Sequence, residues 1–169
     1  MPSLRTPASL EDLRTEVLSQ RAAKPAWVTV CTGTGCCAYG AEALADGFEQ
    51  EIEKRGLGQT VGVRRTGCHG FCERGPLVVI QPKGVSYLSV QAKDIPAIVE
   101  KTVEDDKLID RLLYLDEATG KRVSKTADIP FYKYQKRILL ENNALIDATT
   151  FWITSPSAAM LRWPRPSAV

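Results

Sequence analysis

The chain has 169 residues, of which 44% are apolar and 25% are charged. This balance is typical of a soluble globular protein and excludes a mostly disordered or collagen-like chain. Its 22 basic and 20 acidic residues are well mixed and give a formal charge of +2, so no strong field would attract nucleic acid or anionic lipid to the surface. We therefore expect no nucleic-acid partner.

The N-terminal 25 residues contain three acidic side chains and no apolar run of the length that a secretory signal requires. No window approaches the roughly 18 consecutive apolar residues of a membrane-spanning helix. These observations predict a cytoplasmic protein with no direct membrane insertion. In that compartment, five cysteines, four of them in two close pairs, indicate metal or redox chemistry rather than a disulfide framework.

The first half of the chain alternates predicted helices and strands. A capping pattern and an apolar face predict a helix over residues 9–22, and an aromatic and β-branched run predicts a strand over 27–30. An amphipathic pattern predicts a second helix over 41–55, followed by a strand over 60–65. Each of the two strands leads directly into a glycine-rich loop that contains two of the paired cysteines.

The next elements complete a recognisable layout. Residues 77–80 and 85–90 read as two short strands joined by a turn with proline and glycine, and residues 94–103 read as a third helix. The order is strand, helix, strand, hairpin and helix. This order predicts an α/β, thioredoxin-like fold in which helices flank a mixed sheet.

Outside this unit the pattern is less regular. The leucines of 108–115 predict a short helix, residues 116–120 an exposed turn, and residues 132–145 a further basic and apolar helical segment. We divide the chain into an N-terminal helical extension, the thioredoxin-like domain, a linker-like segment with helices and an irregular tail. In that order, these parts span residues 1–24, 25–103, 104–148 and 149–169.

The paired cysteines are the candidate metal ligands. Cys31 and Cys36 enclose four residues, Cys68 and Cys72 enclose three, and the 31 residues from Cys37 to Gly67 separate the two pairs. Four cysteine thiolates hold a [2Fe–2S] cluster, and two loops from neighbouring strand ends can each bind one iron. The spacing therefore predicts one such cluster, carried by a module that transfers electrons.

Two other readings stay open at this point. Four cysteines also bind structural zinc, and the chain would then be a zinc-stabilised interaction module, although zinc sites usually have tighter C-x2-C pairs. Alternatively, Cys36 and Cys37 could carry out thiol–disulfide chemistry, but the usual C-x-x-C motif is missing. A Rieske centre is excluded because it needs two histidine ligands and the chain contains only His69.

Glycines and arginines beside the cysteines are candidate cofactor-tuning residues. Glycine permits a positive φ and lets backbone N–H groups approach the sulfurs, which affects the reduction potential. Arginines beside the second cysteine loop would stabilise the negative charge gained on reduction. The glycines are Gly33, Gly35, Gly67, Gly70 and Gly75, and the arginines are Arg64, Arg65 and Arg74.

Four further side chains near the cysteines are expected to have structural roles. Cys37 is expected to pack as a small apolar side chain, with replacement of Cys36 as ligand or a vicinal disulfide as alternatives. His69 is expected to be an exposed loop residue rather than a ligand or a neighbour that raises the potential. Trp27 and Phe71 are expected to belong to the core or to shield the cluster.

The segments Cys31-Thr-Gly-Thr-Gly-Cys36 and Cys68-His-Gly-Phe-Cys72, with Gly75-Pro76 after them, resemble the thioredoxin-like [2Fe–2S] ferredoxin family over residues 27–103. That family includes the small cluster-bearing subunit of respiratory complex I and of NAD-reducing hydrogenases. The same domain also precedes the flavin-binding module of larger diaphorase subunits. The resemblance implies a [2Fe–2S] cluster and one-electron transfer.

Two features make the larger flavoprotein subunit the better match. Only 30 residues precede Cys31, and Ile129–Asn142 resembles the linker that leads into the FMN- and NADH-binding domain. The chain then ends in a tail with proline and tryptophan in place of the glycine-rich flavin and nucleotide loops. FMN and NADH binding are therefore not carried over from the family to this chain.

The resemblance thus implies an electron-carrying module without a complete catalytic site. Its expected partners are a flavin- and NAD(H)-binding subunit or other iron–sulfur subunits, in a complex of the NADH dehydrogenase or electron-bifurcating hydrogenase type. The sequence is also compatible with a homodimer.

Overall fold

A four-stranded sheet forms the centre of the computed structural model, which describes residues 24–144, 146 and 147 and the single positions 9, 12, 15, 16 and 19. The sheet order is β2-β1-β3-β4, with β1 parallel to β2 and the other neighbours antiparallel. The predicted mixed sheet is therefore confirmed. The strands are β1 (Ala26–Cys31), β2 (Val61–Thr66), β3 (Val78–Gln81) and β4 (Val85–Tyr87).

The register of β1 and β2 positions the cysteines. Ala26 pairs with Val61 at one end of the two strands, and Cys31 pairs with Thr66 at the other. Because the strands are parallel, their carboxyl ends lie at the same edge of the sheet. The loop that follows Cys31 and the loop that follows Thr66 therefore leave the sheet side by side.

Two helices follow β1. The short α1 (Thr34–Ala38) contains Cys36, and the longer α2 (Ala41–Lys54) begins after the left-handed Gly40. The apolar residues of α2 recur every three or four positions, so they share one face and are buried against the sheet and the next helix. They are Ala41, Leu44, Ala45, Phe48 and Ile52.

The predicted third helix is confirmed, with a mixed geometry. A 3-10 turn, Ala92–Asp94, leads into α3 (Ile95–Ile98), which continues as a π-helical segment, Val99–Glu104. Ile98 and Val99 are fully buried, and α3 contacts α2.

The segment after residue 104 differs from the prediction. The short helix predicted over residues 108–115 is wrong, because the chain forms a 3-10 turn, Asp110–Leu112, and then a strand. Leu112 and Leu113 are buried while Leu108 and Leu115 are largely exposed, so the leucines do not share one helical face. The strand β5 (Tyr114–Asp116) forms a hairpin with β6 (Lys121–Val123), and the exposed turn predicted for residues 116–120 joins them.

The helix predicted over 132–145 is also wrong for most of its length. Only α4 (Pro130–Lys133) is α-helical there, preceded by a 3-10 turn, Thr126–Asp128, and followed by turns and bends. Ile138 and Leu139 are exposed, so the described residues of this stretch do not share a buried apolar face that would stabilise a helix.

The buried core continues beyond residue 103. Ile109, Leu112 and Ile129 join the same hydrophobic cluster as the sheet and α2. The division of the chain at residue 103 remains a prediction, but residues on both sides of it share one core.

Parts of the predicted organisation lie outside the described residues. Of the helix predicted over 9–22, the described positions 9, 12, 15, 16 and 19 are helical, and the tail 149–169 is not described. No helix within the described part of the chain has the length and apolar character needed to cross a membrane.

The fold makes a prediction about α2. Phe48 is fully buried, so Phe48→Ala should lower the free energy of unfolding by about 3–5 kcal/mol through lost burial and a cavity. The exposed Gln50 of the same helix provides the control, because Gln50→Ala should change stability by less than about 0.5 kcal/mol. Urea unfolding followed by far-UV circular dichroism measures both. Equal effects of the two substitutions would contradict the assigned buried face.

Candidate metal centre

The four predicted ligands come from two loops at one edge of the sheet. Cys31 is the last residue of β1 and Cys36 lies in α1, while Cys68 and Cys72 lie on the loop after β2. We call residues 67–72 the second cysteine loop. Cys31 and Cys36 are buried, Cys68 is half-buried and Cys72 is exposed. The structure therefore brings all four together, with one pair inside and the other toward the surface.

Contacts between sulfurs link the two loops. Cys36 and Cys68 both lie close enough to Cys31 for their side chains to lower its pKa. Cys68 Sγ in turn lies 3.7 Å from Cys72 Sγ. The four sulfurs thus form one connected group.

The environment of Cys31 favours a thiolate. The hydrogen bond with Cys36 lowers the pKa of Cys31 to about 6, and the backbone N–H groups of Gly33 and His69 contribute in the same direction against the effect of burial. The same interaction raises the pKa of Cys36, so it favours one thiolate in this pair.

The close approach of the loops depends on residues without a Cβ. A Cβ on Gly33 would lie 2.8 Å from Cys68 Cβ, one on Gly35 would lie 3.2 Å from Cys72 Sγ, and one on Gly75 would lie 2.8 Å from Cys36 Sγ. Distances below 3.0 Å are essentially never found for real Cβ atoms. Each of these glycines therefore leaves space that the cysteines of the other loop occupy.

The donor set fits a [2Fe–2S] cluster. It consists of four thiols in two loop-borne pairs, which is the composition that such a cluster requires. Among the described residues, no group of three or more histidine, cysteine or acidic side chains is arranged to hold a single metal ion. A structural zinc site would instead need four sulfurs around one ion at about 2.3 Å.

The predicted reason for the glycines is correct at one position. Gly70 has a φ of 85°, and its N–H donates to Cys68 Sγ at 3.2 Å. This left-handed conformation is accessible to glycine at little cost. The other four glycines near the cysteines do not adopt a positive φ. At Gly33, Gly35 and Gly75 the constraint is contact with cysteine atoms, and at Gly67 it is contact with Asn143.

Cys36 and Cys37 point to different surroundings. Cys36 is fully buried, and its hydrogen bond to Cys31 and its burial both raise its pKa. Cys37 Sγ instead donates to the carbonyl oxygen of Thr32 at 3.2 Å and lies 3.8 Å from Glu42 Oε1. Both are free thiols with raised pKa values, which does not favour the thiol–disulfide alternative. This geometry favours Cys36 as the ligand and gives Cys37 a local packing role.

The expectation that His69 is exposed is wrong. His69 is only 2% exposed, and its Nε2 lies 2.8 Å from Thr66 Oγ1, which also donates to the carbonyl oxygen of Val30. Burial, with the nearby charge of Arg137, lowers the pKa of His69 to about 4. The imidazole is therefore neutral at neutral pH and packs the second cysteine loop against the sheet.

Two of the predicted tuning arginines have carboxylate partners. Arg65 extends across α2, where it pairs with Glu42, Asp46 and Glu49. Arg74 lies 3.6 Å from Glu73 and 4.0 Å from Glu117. These carboxylates offset the positive charge of both guanidinium groups. The structure therefore does not support the prediction that Arg65 and Arg74 stabilise the reduced cluster.

Arg64 has a different environment from the other arginines. It is buried, and its guanidinium lies 4.2 Å from the centre of the Trp27 ring. This is a cation–π contact within the packed part of the sheet. The structural role expected for Trp27 is consistent with it.

Phe71 packs the second cysteine loop against residues far along the chain. Its ring stacks on Phe131 at 4.3 Å and contacts Tyr132 edge-on at 5.9 Å. The expected structural role of Phe71 is therefore confirmed. Sequence analysis did not find the partners of Phe71, nor Thr66 and Asn143. These residues belong to no metal-binding motif, and most of them lie 60 or more positions from Phe71 in the sequence.

Comparisons with known proteins identify the family. The family model for the thioredoxin-like [2Fe-2S] ferredoxins matches residues 16–103. The chain belongs to this family. It therefore has the predicted thioredoxin-like fold and carries a [2Fe–2S] cluster.

Two curated relatives and one solved structure support the assignment. The chain is 38% identical over 77 residues to a 2Fe-2S ferredoxin of Clostridium pasteurianum, a match covering 46% of this chain and 76% of the relative. It is 33% identical over 79 residues to one of Aquifex aeolicus (strain VF5), covering 46% and 71%. A structure of a thioredoxin-like [2Fe-2S] ferredoxin from Aquifex aeolicus matches with 30% identity and a TM-score of 0.50, covering 53% of this chain and 90% of that one.

A pair of neighbouring substitutions tests the choice between Cys36 and Cys37. Cys36→Ala should prevent formation of a normal cluster, because it removes a buried thiol from the sulfur group. Cys37→Ala should retain two iron and two sulfide per chain and an unchanged visible spectrum. Iron and sulfide analysis after anaerobic reconstitution measures both. A colourless Cys37→Ala protein beside a normal Cys36→Ala protein would reverse the assignment.

A second test concerns the space between the loops. Gly33→Ala should force the loops apart, because the new Cβ would meet the Cα and Cβ of Cys68 at 3.0 and 2.8 Å. We expect destabilisation of about 1–3 kcal/mol and less bound iron. Gly58→Ala is the matched control, because its Cβ would meet only Glu53 Oε2, at 3.9 Å. Equal iron contents in the two variants would contradict the required close approach.

Proposed function

We propose that Cys31 and Cys36 ligate one iron of the cluster, that Cys68 and Cys72 ligate the other, and that the chain relays single electrons through it. The pairing by loop is supported by the burial of Cys31 and Cys36 together after β1 and by the 3.7 Å separation of the Cys68 and Cys72 sulfurs. When bound, the cluster supplies a one-electron redox centre.

The observation that carries this proposal is the unequal burial of the two pairs. Cys31 and Cys36 are buried, whereas Cys68 is half-buried and Cys72 is exposed. An iron held by Cys68 and Cys72 would lie near the surface. Electrons would then enter and leave on this side, where a partner can dock.

The proposed partner is a flavin- and NAD(H)-binding subunit, or another iron–sulfur subunit, of a complex of the NADH dehydrogenase or hydrogenase type. The similarity of Ile129–Asn142 to the linker of such flavoproteins supports this choice. Cytoplasmic localisation and homodimerisation remain predictions.

The redox function is tested on the anaerobically purified full chain. We expect two iron and two sulfide per chain and a cluster that takes up one electron in a titration with dithionite, followed by visible absorption and electron paramagnetic resonance. A protein with bound zinc and no iron would contradict the proposal, as would a two-electron reaction confined to cysteine thiols.

The docking side is tested by charge reversal. Arg74 follows Cys72 and is 45% exposed, whereas Lys54 is 79% exposed at the far end of α2, about 20 Å along the helix axis from its first residue. With NADH and a purified NADH dehydrogenase flavoprotein as donor, Arg74→Glu should change the rate of cluster reduction more than Lys54→Glu does. Stopped-flow absorption measures the rates. Equal changes would contradict docking at the Cys72 side.

A further inference from the structure

A segment outside the family match covers the second cysteine loop. We call residues 129–147 the C-terminal segment, and the family match ends at residue 103. Arg137 Nη2 donates to the carbonyl oxygen of His69 at 2.8 Å, and Asn143 Nδ2 donates to that of Cys68 at 3.1 Å. Two successive carbonyl groups of the loop are thus held by side chains from this segment.

The C-terminal segment also packs against other residues of the second cysteine loop. A Cβ on Gly67 would lie 3.1 Å from the side chain of Asn143, and one on Gly70 would lie 3.8 Å from Leu140 Cδ1 and 3.9 Å from Arg137 Nη2. Phe71 stacks on Phe131 at 4.3 Å. Every residue from Gly67 to Phe71 therefore lies beside the C-terminal segment.

Both ends of the C-terminal segment are fixed to the domain. At its start, Ile129 is fully buried in the core. At its end, Asp147 is buried and forms an isolated antiparallel bridge with Thr66, the last residue of β2. The segment therefore begins and ends on the same body that carries the cysteines.

Arg137 differs from the other arginines near the loop. Its guanidinium also lies 5.3 Å from the centre of the Tyr132 ring. In the described part of the chain no ion pair involves Arg137; Glu141 lines the same surface groove without coming within ion-pair distance. Its charge is thus not offset as the charges of Arg65 and Arg74 are.

Arg137 lies close to the second cysteine loop in space. Its Nη2 is 2.8 Å from the carbonyl oxygen of His69, the residue that follows Cys68. An added electron makes a four-thiolate cluster more negative, so a nearby cation with no ion-pair partner among the described residues stabilises the reduced form.

We infer that the C-terminal segment is part of the metal centre, with Arg137 as the positioning residue that raises the midpoint potential and Asn143 as a clamp on the ligand Cys68. This inference rests on the proposed ligation by Cys68 and Cys72. The potential of the cluster and its retention thus depend on residues that the matched ferredoxin domain does not contain.

The role of Arg137 is tested by anaerobic redox titration of the full chain. Arg137→Gln should lower the midpoint potential, and Arg137→Lys, which keeps the charge, should restore most of the difference. Lys136→Gln is the matched control, because it removes the same charge from the neighbouring exposed residue, and its shift should be smaller. An unchanged potential in Arg137→Gln, or equal shifts for Arg137→Gln and Lys136→Gln, would overturn the inference.

The role of Asn143 is tested by the rate of iron loss to a chelator. Asn143→Ala removes the hydrogen bond to the Cys68 carbonyl group, and a bond of about 1 kcal/mol corresponds to about fivefold faster loss. Asn142→Ala is the neighbouring control and should lose iron at the rate of the unmodified chain. Equal rates for the two variants would overturn the clamp.

Failure of the proposed ligation and failure of this inference give different results. If the unmodified chain holds no iron, the proposed function fails. If it holds a normal one-electron cluster and the Arg137 and Asn143 variants behave as their controls do, only the role of the C-terminal segment fails.

Discussion

The parallel pairing of β1 with β2 is the constraint on which the metal centre depends, because it brings two loops that are distant in sequence to the same edge of the sheet. Cys31 ends β1 and faces Thr66 at the end of β2. The backbone N–H of Thr32 then donates to the carbonyl oxygen of Thr66 at 2.9 Å, which continues the pairing into the loops. From this point the four thiols need only short loops to meet.

The approach of the two loops is limited by volume more than by backbone conformation. Gly33, Gly35 and Gly75 have ordinary backbone angles, and their role is to leave space that atoms of Cys68, Cys72 and Cys36 occupy. Of the five glycines named beside the cysteines, Gly70 alone has a positive φ, and its N–H donates to Cys68 Sγ. Glycines beside the cysteines therefore meet two different requirements, space for a cysteine of the other loop and a positive φ. The sequence alone does not distinguish them.

The net charge near the site depends on which arginines have carboxylate partners, and not on how close an arginine is to the cysteines in the sequence. Arg65 lies in β2, the strand that leads to the second cysteine loop, yet three carboxylates of α2 surround it. Arg137 is 65 residues beyond Cys72 in sequence, yet it bonds the carbonyl group of His69 without a carboxylate of its own within the described residues. The electrostatic environment of a cluster in this fold thus depends on where the helices place acidic side chains.

The sequence by itself determined those elements that depend on neighbouring residues along the chain. Hydrophobic periodicity predicted the central strands and α2, and cysteine spacing predicted a shared site and its cofactor. Periodicity failed over 108–115 and 132–145, where apolar residues are divided between core and solvent. Only the tertiary structure decided that His69 is buried, that Cys36 rather than Cys37 faces Cys31, and that the C-terminal segment covers the second cysteine loop. Each of these depends on contacts between distant residues, for which local sequence contains no signal.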